Sequence, residues 1–241
     1  MDKYISDVET SRFGIKVARI NSFEDSPSAL LAKLKMADFK LVISRIPVSN
    51  LELINEMESI GFQIKDVQVT HNFDLKKEPI VLCGDVELGN KFHQEDTDVV
   101  AEIARRSFKN YGHYSRCELT CSFDTGEIYA DWAKNCCENK SLADHTVVAR
   151  VKGRVVGFLC LKIKELAGEK YVSGVMGAVD DNYWKKGIFK KINLAGLKWA
   201  WDNNLARVEH NVLVTNIAVN KVYSNLGFHI IRSEVTLYWK G

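Results

Sequence analysis

A 24-residue stretch occurs twice in this chain and constrains its fold more than any other feature. NLELINEMESIGFQIKDVQVTHNF, from Asn50, aligns without gaps with NIAVNKVYSNLGFHIIRSEVTLYW, from Asn216. In each copy an Asn can cap a helix, a Gly can end it, and a strand-like segment follows. The repeat predicts two equivalent helix-to-strand units, by duplication, which we favour, or by convergence on the same capping chemistry. The identical pairs are Asn50/Asn216, Gly61/Gly227, Phe62/Phe228, Ile64/Ile230, Val69/Val235 and Thr70/Thr236.

Helical and strand-like patterns alternate along the whole chain and predict a mixed α/β fold. We expect strands at 15–20, 41–46, 63–73, 146–151, 155–164, 171–179, 208–214 and 228–239. We expect helices at 28–36, 50–60, 97–110, 127–139, 187–203 and 216–226. Segment 75–90, LKKEPIVLCGDVELGN, mixes charge, proline and glycine. It predicts a boundary between a small N-terminal domain, 1–80, and a larger domain, 81–241.

Composition excludes several classes of partner. A formal charge of +2, from 33 basic and 31 acidic side chains, gives no chain-wide attraction to nucleic acid or membranes, so we expect neither as a partner. The six cysteines lack CxxC pairs and Cys/His metal spacing, which predicts reduced thiols, no bound metal and a cytoplasmic protein. The N-terminal residues lack a signal-peptide pattern, and no apolar run approaches the roughly 18 residues of a membrane span.

One turn carries an unfavourable arrangement of charge. The strand-like YVSGVMGAV leads through two aspartates into YWKKGIFKK, in which a helix is predicted to begin at Gly187. The positive end of that helix dipole is surrounded by four lysines, Lys185, Lys186, Lys190 and Lys191. Each positive charge at this position costs about 0.3–1 kcal/mol of stability. A bound pyrophosphate would make them favourable, because free amides at a helix start bind anions. We predict an anion site here; a solvated lysine face is the alternative.

The second motif, N-x(6)-Y-x(3)-G-F, comprises Asn216, Tyr223, Gly227 and Phe228. On a helix, Tyr223 lies about two turns after Asn216 and on nearly the same face. A phenol with an ordinary pKa of about 10 is protonated at neutral pH and can donate a proton to a departing thiolate. Tyr223 is therefore a candidate general acid, and core packing is the alternative.

These motifs, in this order, resemble the GCN5-related N-acetyltransferase (GNAT) superfamily over about residues 95–241. The resemblance implies a mixed, splayed central sheet that binds acyl-CoA, preceded here by a smaller, degenerate GNAT-like α/β unit. It implies that the backbone of residues 177–179 forms hydrogen bonds with pantetheine and that the Asn216 side chain assists in this binding. It also implies that Tyr223 is the general acid. The family's pyrophosphate signature, [QR]-x-x-G-x-[GA], falls on Trp184, Lys185, Lys186, Gly187, Ile188 and Phe189, with the first and last departing from it.

A narrower resemblance spans nearly the whole chain. SDVETSRFGIKVARI, GFQIKDVQVTHNFDL, IYADWAKN and SEVTLYWK are similar to dTDP-fucosamine acetyltransferases and their relatives. This implies transfer of an acetyl group, or a larger one such as 3-hydroxybutyryl, to a dTDP-linked 3- or 4-amino-dideoxyhexose for O-antigen and lipopolysaccharide synthesis. Gly174 and Gly177 could leave room for the larger group. The N-terminal unit would shape the acceptor side, and a homodimer is one possible assembly.

The implied reaction is direct attack of an amine on the thioester, helped by orientation and by backbone N–H groups that polarise the carbonyl. Strand 171–179 contains no carboxylate, so the candidates for the general base are His210, His113 and a chain of waters. Covalent catalysis by cysteine is disfavoured, because no cysteine lies in a Cys/His signature.

The loop KNYGHYSR is a candidate for acceptor binding. Tyr111 and Tyr114 could stack on a nucleobase and Arg116 could pair with a phosphate, unless the segment is only a surface loop. Two other functions stay open. One is acetylation of a protein N-terminus or lysine, which an acidic acceptor groove would favour; the other is a non-catalytic acyl-CoA-binding module.

Overall fold

A central sheet runs through the molecule. A computed structural model describes residues 1–76, 92–117, 119 and 123–241, and within them eight strands form one sheet in the order β1-β2-β8-β3-β7-β6-β5-β4. Two neighbouring pairs, β1–β2 and β6–β7, are parallel and the others antiparallel, which confirms the mixed α/β prediction. The strands are β1 Val17–Ile20, β2 Leu41–Pro47, β3 Gln63–Asp74, β4 His145–Val151, β5 Arg154–Leu166, β6 Glu169–Val179, β7 Arg207–Leu213 and β8 His229–Lys240.

Helices cover both faces of the sheet. Those of the described residues are α1 Asp7–Phe13, α2 Pro27–Met36, α3 Leu51–Ser59, α4 Thr97–Phe108, α5 Thr125–Glu138, α6 Ile188–Asp202 and α7 Ile217–Asn225. We call the face that α1, α4 and α5 pack against the front face, and the face covered by α2, α3, α6 and α7 the back face. In the described part of the chain, no helix combines the length and apolar character of a membrane span.

The predicted elements agree with the structure to within two residues at each end. Helix α1 was missed. Its seven residues, DVETSRF, contain only Val8 and Phe13 as apolar side chains, and only Phe13 is buried. A helix this short does not show a helical period in its sequence, and it is held by packing on the front face.

The two copies of the repeat have the same local structure. Asn50 and Asn216 each accept a hydrogen bond from the amide three residues on, both at 3.3 Å. Each helix ends before a glycine with positive φ, 99° at Gly61 and 93° at Gly227, a conformation that favours glycine. The prediction of two equivalent helix-to-strand units is confirmed.

A local two-fold axis relates the copies. Their strands, β3 and β8, are antiparallel neighbours, and Gln68 lies opposite Glu234, its equivalent in the repeat. The flanking pairs, Val67–Val235 and Val69–Ser233, exchange under the same two-fold relation. Because β8 lies between β2 and β3, both halves of the chain build one continuous sheet. The boundary at residue 80 lies outside the described residues, so the division into domains 1–80 and 81–241 stays a prediction.

The sheet opens between its parallel strands β6 and β7. They pair only at Val172–Val208 and Ser173–Glu209, and a register shift in β6 follows at Gly174, a bulge that bends the strand. Beyond this point β6 and β7 separate. In the equivalent pair, β1–β2, all four residues of β1 stay paired. A gap therefore lies between β6 and β7, and the sheet is splayed as predicted.

Candidate functional site

The turn after β6 leaves backbone amides free at the start of α6. Gly187 precedes the helix with φ +71°, and no side chain caps it, so the amides of the first turn have no intrahelical acceptor. Lys185 and Lys190 are exposed beside them, whereas Lys186 donates to the Asn182 carbonyl at 3.1 Å. The predicted helix start is confirmed. Anion binding by Lys185, Lys186, Lys190 and the amides stays a prediction.

A buried carboxylate fixes this turn to α4. Asp180 is 3% exposed and accepts hydrogen bonds from the amide and the side chain of Asn182, both at 3.0 Å, and from Arg106 Nη2 at 3.0 Å. Burial disfavours its charged form, but the bonds from Asn182 and Arg106 outweigh burial and hold the pKa of Asp180 below its ordinary value. Sequence patterns did not reveal this pair, because Arg106 lies 74 residues earlier.

The two residues that depart from the family signature have different surroundings. Trp184 is largely exposed, and its indole N–H donates to the Val179 carbonyl at 2.8 Å, so it closes the turn onto the end of β6. The ring of Phe189 lies 5.9 Å from that of Tyr223 and packs inward with Ile188. Pantetheine binding by Gly177 and Val179 stays a prediction.

Tyr223 lies inside an aromatic cluster at the back of the gap. It is 5% exposed, and its ring is parallel to that of His210, with 5.0 Å between centroids and 1° between planes. His71 and Phe228 pack on it at 5.1 and 5.2 Å. Burial raises its pKa, and the nearby Tyr111 adds to the effect, so the phenol keeps its proton at neutral pH as a general acid requires.

His210 fills the space that Gly174 leaves on β6. A Cβ added to Gly174 would lie 1.9 Å from His210 Nδ1. The expectation that Gly174 leaves room for a larger acyl group is therefore wrong. Leu159 fills the corresponding space at Gly177, because its side chain would lie 2.9 Å from a Cβ added there. Burial, with a contribution from His71, lowers the pKa of His210 to about 3. At neutral pH such an imidazole is uncharged and a weak base.

Tyr111 reaches into the gap from the front. The Val214 N–H points towards β3, where it donates to the Val67 carbonyl. Because successive N–H groups of a strand point to opposite sides, the Leu213 N–H points away from β3 and into the gap. The Tyr111 hydroxyl accepts this N–H at 3.4 Å. Burial raises the pKa of Tyr111, while the bonds from Leu213 and Asn216 oppose that effect. The structure thus brings Tyr111, Asn216 and Tyr223 together.

Two residues that no sequence motif marks also meet here. The Asn220 amide group donates to the carbonyls of Leu213 and Asn216 at 3.0 and 2.8 Å. Its oxygen must therefore accept from His71 Nε2, 2.7 Å away, which leaves His71 Nδ1 as a bare nitrogen without a partner in the described structure. No local signal identifies His71, because it lies 149 residues from Asn220.

His113 lies away from the gap, on the front face beside β8. Its Nδ1 is hydrogen-bonded to the Tyr238 hydroxyl, and it is 8% exposed. Burial, assisted by the positive charges of Arg45 and Arg19, lowers its pKa well below the ordinary value. The structure does not bring His113 together with Tyr223, and its role as base stays a prediction.

Tyr114 and Arg116 attach the same loop to the rest of the protein. The Tyr114 hydroxyl donates to Glu9 at 2.8 Å, and its ring packs on Phe13, so the ring is buried and offers no free face for stacking. Arg116 Nη1 donates to the Lys65 carbonyl at 2.9 Å. The first contact holds the loop against α1 and the second holds it against β3.

A family model and solved structures both match this chain to one family. The model of the acetyltransferase (GNAT) family matches residues 101–228. No curated protein matches the chain in a sequence search. A GCN5-related N-acetyltransferase from Sphaerobacter thermophilus has a TM-score of 0.59 at 14% identity, over 95% of this chain and 74% of its own.

Two further solved structures share the fold. A tandem GNAT protein from the clavulanic acid biosynthesis pathway has a TM-score of 0.59 at 15% identity, over 93% of this chain and 75% of its own. A GCN5-related glucosamine N-acetyltransferase region of a fungal multi-domain GH3 β-N-acetylglucosaminidase has a TM-score of 0.61 at 13% identity, over 98% of this chain and 30% of that protein. Because the family model spans more than half of the sequence and the sheet splays beside an uncapped helix start, the chain belongs to the GNAT family of acetyltransferases.

Proposed function

We propose that the protein transfers an acyl group from acyl-CoA to a primary amine, with the thioester held in the gap between β6 and β7. The observation that carries this proposal is the geometry of that gap. The strands separate after Ser173–Glu209, with the first turn of α6 at one side and the phenols of Tyr111 and Tyr223 at the other. Orientation of two substrates in such a gap can contribute about 7–11 kcal/mol to lowering the barrier.

Each part of the gap has a role in this proposal. The amides after Gly187, with Lys185 and Lys190, bind the pyrophosphate, and the backbone of Gly177 and Val179 binds pantetheine. Asn216 already uses its side-chain oxygen to cap α7 and holds the ligand beside that helix. The Tyr223 phenol protonates the sulfur as the C–S bond breaks, since burial keeps its proton in place.

We further propose that the acceptor is a dTDP-linked 3- or 4-amino-dideoxyhexose, acylated in the cytoplasm for cell-surface polysaccharides such as O-antigen. The support is the similarity of four sequence stretches, spread over most of the chain, to enzymes of that class. One structural neighbour is described as a glucosamine N-acetyltransferase region, so the fold is compatible with an amino-sugar acceptor. Since His210 and Leu159 fill the space beside Gly174 and Gly177, acetyl is the group we favour.

We infer that the N-terminal unit is a duplicated half-GNAT that has lost its own gap. Its strands β1 and β2 stay paired, and the Ser44 hydroxyl donates to the Ile20 carbonyl at 2.5 Å. Met57, fully buried, occupies the position that corresponds to Tyr223. The similarity to a tandem GNAT protein over 93% of the chain supports this origin. Because the N-terminal unit has no gap of its own, it can instead help to bind the acceptor.

A protein amine is the second candidate acceptor. Carboxylates of Asp66, Glu209 and Glu234 lie on the front face near the gap, and an acidic groove suits a lysine or a free N-terminus. Glu209 is paired with Arg207 at 2.8 Å, which reduces the net negative charge of the groove.

A thiol-release assay tests the proposal. Acetyl-CoA and 3-hydroxybutyryl-CoA would each be combined with dTDP-3-amino and dTDP-4-amino-dideoxyhexoses, and with a peptide carrying a free N-terminus and a lysine. We expect thiol release with acetyl-CoA and an amino sugar, and a product heavier by one acetyl group. Release with the peptide alone would favour the second candidate. Absence of release with every pair, despite binding of acetyl-CoA in calorimetry, would indicate a non-catalytic acyl-CoA-binding module.

A further inference from the structure

Among the described residues predicted for the acyl-transfer site, none is an evident acceptor for the proton of the incoming ammonium. Strand β6 has no carboxylate between Tyr171 and Val179, the His210 imidazole is uncharged and weakly basic, and His113 lies elsewhere. Asp66, on β3, is a carboxylate outside the sequence motifs. It is 4% exposed, and its Oδ1 is buried without a hydrogen-bond partner in the described structure. A buried carboxylate oxygen without a partner is unfavourable, and a cationic ligand would satisfy it.

Strand register places Asp66 on the front face of the sheet. Asp66 lies opposite Thr236, which lies opposite Arg45, and cross-strand partners share a face. Thr236 and Tyr238, two residues apart on β8, also share a face, and Tyr238 binds His113 of the front loop. The Asp66 side chain is therefore on the front face.

Asp66 is also close to the phenol of Tyr111. Gln68, two residues along β3 on the same face, lies opposite Leu213, whose N–H holds the Tyr111 hydroxyl in the gap. Burial raises the pKa of Tyr111, and the Asp66 carboxylate adds to that increase, as a nearby negative charge does. Asp66 thus lies on the front face and Tyr223 on the back face, and each of them interacts with the Tyr111 phenol.

The groups around Asp66 do not neutralise it by contact. Arg45, on β2, directs its guanidinium to the Thr236 hydroxyl at 3.3 Å. Arg116, in the loop, donates to the Lys65 carbonyl. The other neighbours that interact with its charge are the phenols of Tyr111 and Tyr129. Within the described part of the chain, no ion pair includes Asp66.

We propose that Asp66 binds the ammonium group of the acceptor and accepts its proton, so that the acceptor is a primary amine that enters cationic from the front face. This rests on the proposed acyl transfer. One proton passes from R–NH₃⁺ to the carboxylate. The nitrogen lone pair forms the C–N bond, the C–S bond breaks, and the sulfur takes the Tyr223 proton. The nitrogen's second proton then restores the phenol, and Asp66 releases its proton to water.

The repeat supports a function specific to this position. The residue equivalent to Asp66 in the second copy is Arg232, which pairs with Glu209 at 3.6 Å. The side-chain charge is therefore opposite in the two copies. The carboxylate lies on β3, which is next to β7 at the gap, whereas Arg232 lies on β8, one strand farther away. The N-terminal unit would supply the group that receives the acceptor.

The test is Asp66→Asn in the full chain, which keeps the shape and removes the charge. With an amine that the wild type acylates, we expect kcat/KM at neutral pH to fall about 100-fold, with the Kd for acetyl-CoA unchanged within twofold. The rate of the variant should continue to rise with pH where that of the wild type has levelled off. Asp98→Asn, the same substitution at a side chain that is 91% exposed, is the matched control and should stay within threefold of the wild type.

Two results would overturn this inference while leaving the acyl transfer intact. One is an Asp66→Asn enzyme with the wild-type kcat/KM and pH profile. The other concerns Asp66→Glu, which keeps a carboxylate and which we expect to retain at least a tenth of wild-type activity. An Asp66→Glu enzyme no more active than Asp66→Asn would contradict the inference. If the Asn variant does not fold, the Glu variant and its pH profile decide. A wild type that acylates no amine would overturn both proposals.

Discussion

The imidazole of His210 lies parallel to the phenol ring of Tyr223, with 1° between the ring planes. His210 comes from β7 and Tyr223 from α7, and the imidazole occupies the space that Gly174 leaves on β6. The position of the proposed acid therefore depends on three elements that meet at the gap. A change at Gly174 should reach Tyr223 through His210.

Gly174→Ala should destabilise the protein. Its Cβ would overlap the His210 ring, and overpacking of this kind costs about 1–3 kcal/mol, or roughly 2–4 °C in Tm per kcal/mol for a chain of this size. Thermal melting measures the loss. In a His210→Ala background the same substitution should cost less by more than about 0.5 kcal/mol. An equal loss in both backgrounds would show that the ring is not the obstacle.

Tyr223→Phe should reduce kcat about 100-fold or more, because the ring stays and only the proton donor is removed. The Kd for acetyl-CoA, measured by calorimetry, should stay within threefold. Tyr171→Phe is the matched control. The Arg207 guanidinium lies over the Tyr171 ring, 4.1 Å from its centroid, and in the described part of the chain this ring is not among those that pack on Tyr223. Unchanged turnover in Tyr223→Phe would remove the acid role.

Lys190→Glu should affect the free and the bound protein in opposite directions. At the N-terminus of α6 an anion stabilises the free helix by about 0.3–1 kcal/mol, whereas reversal of the charge should weaken acetyl-CoA binding roughly 5- to 30-fold at low salt. The binding effect should shrink as salt rises. Lys164→Glu, exposed on β5, is the control. Weaker folding together with unchanged binding would contradict an anion site at this helix.

The Asp180–Arg106 pair should make stability depend on pH at the acid end. The pKa of Asp180 is lower in the folded protein than in the unfolded chain, so the unfolded state binds more protons as pH falls and stability decreases. Urea unfolding should show wild type more stable than Asp180→Asn by about 1–2 kcal/mol at pH 7. The difference should persist down to the ordinary Asp pKa of about 3.9 and disappear below it.

Asp98→Asn controls for a general effect of removing an acid, because the Asp98 side chain is 91% exposed. We expect it to change stability by less than about 0.5 kcal/mol at every pH. A difference between wild type and Asp180→Asn that did not vary with pH would assign the stabilisation to the shape of the side chain and not to its charge.

The sequence by itself determined the helices and strands, apart from helix α1, and the two motifs. The caps at Asn50 and Asn216, the glycines after each helix and the uncapped helix start at Gly187 are consequences of backbone conformation and hydrogen bonding within a few residues. Such local chemistry depends on adjacent positions, so the repeat and the helix after Gly187 are evident from the order of the amino acids alone.

Tertiary structure alone decided which side chains meet at the gap. Tyr111 reaches the amide of Leu213 across 102 residues, and His71 reaches Asn220 across 149. These contacts, and the position of Asp66 beside them, depend on the pairing of β3 with β7 in the sheet. Strand order arises from long-range packing of buried faces, and a local sequence pattern specifies which face of a strand is buried but not which strand lies beside it.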